Sequence, residues 1–166
     1  VGSITNTTDT PLIWAAANGH VNAVNKLLAA GALVDTKGKG GMTPFVCAAT
    51  NGHVGSMKAL LEGGASLDSK TDTGMTPLMC ACSNGHIAAV QFLLTTNVLL
   101  DAKNNDGNTA LISNSAGGRI DVVRMLLDAG ASVNLRSNAN KTALKWAKDK
   151  SHADIEALLQ SRGATL

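Results

Sequence analysis

The stretch Thr76-Pro77-Leu78-Met79-Cys80-Ala81-Cys82-Ser83-Asn84-Gly85-His86 decides the fold, because the chain repeats it. Its threonine recurs as Thr10, Thr43, Thr109 and Thr142, with 33 residues between each neighbouring pair. The Thr-Pro-Leu opening returns as Thr10-Pro11-Leu12 and Thr43-Pro44-Phe45, then as Thr109-Ala110-Leu111 and Thr142-Ala143-Leu144. The closing Gly-His returns as Gly19-His20 and Gly52-His53, then as Gly118-Arg119 and Ser151-His152. A strict period of this length marks a supersecondary unit too small to bury its own apolar face, copied so that neighbours bury it. The chain therefore reads as a solenoid whose stability is a sum of repeat and interface terms.

Each copy has the local chemistry of two helices and a turn. Threonine before proline starts a helix, because the hydroxyl caps free backbone N–H groups and proline at the first helical position sacrifices no hydrogen bond. Glycine before the histidine ends this first helix and turns the chain. A second helix follows, with Val21, Val24, Leu27 and Leu28 forming an apolar stripe in the first copy. Gly31, Gly64, Gly130 and Gly163 close it. Asn97 stands at that place in the third copy, and as the next-best residue for a left-handed cap it is expected to adopt one. The Gly, Asn and Asp-rich segments that follow, such as Gly38 to Gly41, Asp72 to Gly74 and Asn104 to Gly107, are expected to project as β-turn fingers.

With its period and Thr-Pro-Leu signature, the chain resembles the ankyrin-repeat family over roughly residues 9 to 166. The resemblance implies an all-α solenoid, a right-handed stack of helix-turn-helix units with β-turn fingers. The expected organisation is an N-terminal extension at 1–8, repeats at 9–41, 42–74, 75–107 and 108–140, and a C-terminal capping repeat at 141–166. It also implies a monomeric, non-catalytic module that holds a protein or peptide partner on its finger tips and the concave face of each first helix. The family's signature histidine after the leucine is replaced by Ile13, Val46, Met79, Ile112 and Lys145, so apolar packing is expected in place of its hydrogen bond.

Candidate partner-binding residues lie where the repeat leaves the choice free. The position before the threonine carries Asp9, Met42, Met75, Asn108 and Lys141. Met42 and Met75 are expected to face solvent and to adapt to apolar partners. The first-helix row of Trp14, Cys47, Cys80, Ser113 and Trp146 offers Trp14 as an anchor, tryptophan being enriched at binding hot spots. Packing over an end of the stack is the alternative for Trp14. Asn18, Asn51 and Asn84 form either a polar ladder for an extended segment or the natural approach to a left-handed glycine. Asp72, in the second finger, completes the set.

Other chemistry finds little footing. Aromatic residues make up 2% of the chain and tyrosine is absent, which argues against a stacking platform for single-stranded nucleic acid. A net charge of +2 is too small to imply phosphate binding, and the basic cluster Arg136, Lys141, Lys145, Lys148 and Lys150 reads as a soluble cap. No stretch approaches the roughly 18 apolar residues of a membrane span. Cys47 and Cys80 occupy equivalent places on units about 10 Å apart, beyond the roughly 7 Å a disulfide allows, and Cys80 and Cys82 point to different sides of one helix. Reduced, packing thiols are expected, consistent with a reducing compartment and a cytoplasmic location.

His20, His53, His86 and His152 recur at one repeat position, an architectural role in hydrogen bonding rather than a catalytic one. Gly38 to Gly41 lacks the phosphate-loop frame, and no nucleophile elbow or zinc motif is present, so no catalysis, cofactor or small-molecule substrate is expected.

Departures from the pattern carry information. Asn114 and Ser115 replace the alanine pair of the first helix, making the fourth copy the weak link or Asn114 a partner contact. The charged positions Lys145, Lys148, Asp149, Lys150, Asp154 and Glu156 suit a terminal cap. Val1 to Thr8 is too short for another helix pair and begins without methionine, so either it covers the first copy or the natural protein continues upstream. A targeting or regulatory module of a larger enzyme or channel is therefore one rival reading. An engineered or effector-type binder is another, opposed by the irregularities at Asn97 and Asn114.

Overall fold

Threonine caps set the frame of the computed structural model, which describes residues 9–166. The hydroxyls of Thr10, Thr43, Thr76, Thr109 and Thr142 each accept the backbone N–H three residues on, at 3.2–3.3 Å. They start α1 (Pro11–Ala17), α3 (Pro44–Thr50), α5 (Pro77–Ser83), α7 (Ala110–Ala116) and α9 (Ala143–Asp149). Each is followed by a longer partner: α2 (Val21–Ala29), α4 (Val54–Glu62), α6 (Ile87–Leu94), α8 (Ile120–Asp128) and α10 (Ala153–Ser161). Among the described residues there is no strand, and the chain is an all-α solenoid.

Packing runs along the stack. Odd-numbered helices contact one another in sequence from α1 to α9, even-numbered ones from α2 to α10, and each pair closes on itself. Alanines at 15, 16, 48, 49 and 81 let the short helices approach closely, and all are buried. Leu12, Phe45, Leu78, Leu111 and Leu144 add one fully buried side chain per unit. Ile13, Val46, Met79 and Ile112, where the family's histidine would stand, are buried too, so apolar packing does replace that hydrogen bond. Lys145, their counterpart in α9, is exposed.

The turn between paired helices holds neighbouring units together. Gly19, Gly52, Gly85 and Gly118 are left-handed, with φ between 72° and 75°. A Cβ built on Gly19, Gly52 or Gly118 would lie 2.7–2.8 Å from the ring of His53, His86 or His152 respectively. The histidines thus pack beneath the glycine of the preceding unit. Only His152 adds a ring hydrogen bond among the described residues, through Nε2 and the Ala116 carbonyl at 3.2 Å. The expected hydrogen-bonding role of this row is therefore mainly a packing role.

Ser151 stands where the other units carry glycine, yet holds φ 59°. A left-handed non-glycine residue costs about 1–2 kcal/mol, partly offset by the extra freedom glycine has when unfolded. Ser151→Gly is expected to stabilise the chain by about 1 kcal/mol, read as a rise in the urea midpoint with an unchanged m-value.

Gly31, Gly64, Gly130 and Gly163 close the even helices at φ 81–92°, but Asn97 does not join them. The expectation of a left-handed cap fails there because two threonines supply another ending. Thr95 and Thr96 donate their hydroxyls to the carbonyls of Phe92 and Leu93 at 2.7 and 2.6 Å, and α6 stops one residue short of its counterparts. Short hydroxyl side chains compete with helical backbone bonds in this way.

Beyond the even helices a carboxylate ladder ties each unit to the next. Asp35 accepts from Ser66 N–H, Asp68 from Leu99 N–H and Asp101 from Ser132 N–H at 3.0–3.2 Å. Asn134 ends the ladder by accepting from Thr165 N–H at 2.8 Å.

Candidate functional site

The fingers are tight turns closed by backbone bonds. Gly38, Thr71, Asn104 and Ser137 donate their N–H to the carbonyls of Met42, Met75, Asn108 and Lys141 at 2.8–3.0 Å. Successive fingers are joined as well. Asp72, Asn105 and Asn138 donate N–H to Gly40, Thr73 and Asp106 carbonyls, and the amides of Asn105 and Asn138 reach the carbonyls of Asp72 and Asn105 at 2.9 Å. The finger row is thus one continuous edge, with Asp72 exposed upon it. In the first finger, Asp9 accepts from Lys39 N–H at 3.0 Å.

Where the fingers meet the odd helices, two pockets open. The first, of about 320 Å³, is lined by Asp9, Ile13, Trp14, Lys39, Met42 and Cys47, with Ala17 at its edge. Trp14 is 60% exposed, so its indole does not pack over the end of the stack. Met42 is half-buried in the pocket wall. Met75, one unit on, is also half-buried: it packs against the core, and its sulfur accepts from Asn104 Nδ2 at 3.8 Å. The methionines therefore do not face open solvent as expected, because each finger folds back over the residue that ends it.

Asn18, Asn51 and Asn84 remain exposed, but their amides donate to the carbonyls of Trp14, Cys47 and Cys80 at 2.8–2.9 Å. Each side chain closes its own helix end and leaves its amide oxygen for another group.

The second pocket, of about 410 Å³, lies between the last two fingers and α9, with Asn108, Ser137 and Trp146 in its walls and Asp106 beside them. Lys141 covers the Trp146 ring, its Nζ 4.2 Å from the centroid, while bonding Asp149 at 2.8 Å. Lys145 meets the same carboxylate at 2.8 Å. Hydrogen bonds from Lys141 and Lys145 pull the Asp149 pKa down to about 2. A depressed carboxylate stabilises the fold above its ordinary value of 3.8, and that contribution is lost as pH falls through about 2. The structure thus brings Asn108 and Lys141, both from the row before the threonine, together with Trp146 of the first-helix row. Ser137 is the member that sequence reasoning missed; its one signal was a place in the last finger.

The three thiols are free and buried. Burial pushes Cys47 up to about 11, helped by the Asp9 carboxylate, raises Cys80, and pushes Cys82 up to about 12. Raised thiols leave stability intact below the unfolded value of 9 and remove it as pH rises toward 11–12. With Ellman's reagent at pH 8, the folded protein is expected to react slowly and all three thiols rapidly once denaturant is added. A fast native phase would show one thiol to be an exposed nucleophile.

Among the described residues, no group of three or more His, Cys, Asp or Glu side chains is placed to hold a metal ion. No helix there is long and apolar enough to cross a membrane.

Helix pairs stacked through alanine, joined by a hydrogen-bonded row of turns, define a helical-repeat solenoid. A family model described as Ankyrin repeats (3 copies) matches residues 2–71, 55–137 and 95–166, and the chain belongs to the ankyrin-repeat family. Repeats of this family are generally protein–protein interaction modules and typically non-catalytic. No curated protein matches the chain.

Proposed function

We propose that the protein is a non-catalytic recognition module that holds a protein partner in the groove between its finger row and its odd-numbered helices. The units are the five repeats 9–41, 42–74, 75–107, 108–140 and 141–166, and the module works as a cytoplasmic monomer, in keeping with its free thiols. The observation that carries this reading is the indole of Trp14, 60% exposed beside a pocket walled by Ile13, Met42 and Cys47. A large aromatic ring left uncovered next to an apolar recess is the composition of a binding hot spot. The exposed amides of Asn18, Asn51 and Asn84 and the carboxylate of Asp72 supply polar contacts around it.

Affinity capture from a cell lysate with the intact chain and with Trp14→Ala/Met42→Asp tests the reading, once both are shown to melt alike. The variant is expected to lose one specific partner, its affinity falling at least about 30-fold on loss of a hot spot of about 2 kcal/mol or more. Undiminished capture would move the site to the convex side.

A further inference from the structure

Three buried polar atoms around the second pocket lack hydrogen-bond partners among the described residues: Asn108 Oδ1, Ser137 Oγ and Trp146 Nε1. Ser137 is 8% exposed and comes from the last finger; Asn108 ends the preceding finger, and Trp146 comes from α9. All three residues line the same recess of about 410 Å³. An orphaned buried donor or acceptor carries the desolvation penalty of its group, and such orphans are few in folded proteins. Three around one pocket mark a site prepared for a polar occupant.

The donor set selects that occupant. The indole N–H can only donate, the asparagine oxygen can only accept, and the serine hydroxyl does either. Asp106, also in the wall, adds a carboxylate. A carboxylate ligand would meet Asp106 and the Asn108 oxygen with no proton to offer them. A cation would leave the indole N–H unpaired and would sit beside Lys141, whose ammonium already covers the ring. An amide satisfies both signs.

A trans main-chain amide presents its C=O and N–H on opposite edges, whereas a primary carboxamide carries both at one end. We propose that this pocket is a subsite for the side-chain carboxamide of an asparagine or glutamine in the protein partner. Its oxygen accepts from Trp146 Nε1, and its NH₂ donates to Asn108 Oδ1 and Ser137 Oγ. The three atoms are recessed, so the carboxamide reaches them through rotation of the Asn108 side chain, and Lys141 holds the indole in place meanwhile. The subsite rests on the reading of the finger row as a partner surface.

Small amides test it without the partner. The chain has two tryptophans, and only Trp146 lines this pocket, so the indole N–H resonance of exposed Trp14 serves as an internal control. Acetyl-glutamine-N-methylamide titrated into ¹⁵N-labelled protein is expected to shift the Trp146 indole resonance saturably and leave that of Trp14 in place. Acetyl-alanine-N-methylamide, which offers only main-chain amides, is expected to bind about five-fold or more weakly, the worth of one hydrogen bond. Asn108→Ala, with an unchanged melting temperature, is expected to weaken the glutamine probe by a similar factor.

No shift, equal shifts at both tryptophans, or a response undiminished by Asn108→Ala would each overturn the subsite. Equal binding of the alanine probe would reassign it to main-chain amides and overturn the carboxamide. Because neither probe needs the partner, failure here would leave the capture experiment to judge the wider reading.

Discussion

Gly52→Ala is expected to destabilise the protein by about 3 kcal/mol, well beyond the cost of the same change at Gly85. The two glycines hold nearly the same left-handed backbone, φ 75° and 72°, so the conformational penalty of about 1–2 kcal/mol is common to both. What differs is the neighbour. A Cβ on Gly52 would meet the His86 ring at 2.8 Å, whereas one on Gly85 meets nothing within 4 Å, because the next unit carries Arg119 instead of histidine. Overpacking of this kind adds about 1–3 kcal/mol.

Urea denaturation of the two variants, followed by helical signal, reads the difference directly. Adding His86→Ala to Gly52→Ala is expected to relieve the clash and bring the pair close to Gly85→Ala, apart from the lost packing of the ring. Equal destabilisation at Gly52 and Gly85 would mean that the histidine ring swings aside and that this contact does not set the spacing of the units. Because the fingers are hydrogen-bonded unit to unit, a change in that spacing should also reach the finger row.

The sequence revealed these elements unevenly, for physical reasons. Threonine caps and glycine turns are legible because each is decided by one residue's own chemistry within a few positions. The row of Asn97 does not by itself predict its backbone, because the hydroxyls of Thr95 and Thr96 end the helix first. The carboxylate ladder was visible as Asp35, Asp68 and Asp101 at the repeat period, but its meaning required the N–H groups of the next unit. The finger positions of Met42 and Met75 are legible from the repeat, while their half-burial depends on how the turns fold back. The pocket of Asn108, Ser137 and Trp146 joins two fingers and a helix, and no local pattern announces such a convergence.

Ser115→Ala is expected to stabilise the protein by about 1–2 kcal/mol, the penalty carried by a buried hydroxyl without a partner. Ser115 is fully buried in α7, and its Oγ has no hydrogen-bond partner among the described residues. Alanine already fills the equivalent place at Ala16 and Ala49, so the helix contact accepts the smaller side chain.

Asn114 beside it is 1% exposed, which removes the alternative that it serves a partner at the surface. Its Nδ2 donates to the Ala110 carbonyl at 2.8 Å while its Oδ1 is orphaned. Asn114→Ala would remove that orphan but also a hydrogen bond and side-chain volume, so its net effect is expected to be smaller than that of Ser115→Ala.

Stability in a repeat array is a sum of unit and interface terms, so the gain from Ser115→Ala should appear first as slower amide exchange in α7 and α8. A loss of stability instead would mean that the hydroxyl is satisfied in solution and that the fourth unit is not the weak one. The result bears on the partner surface, since Asn108 immediately precedes the Thr109 cap of α7. Firming α7 should hold the Asn108 backbone more rigidly in the wall of its pocket, while its side chain keeps the rotation that admits the partner's carboxamide.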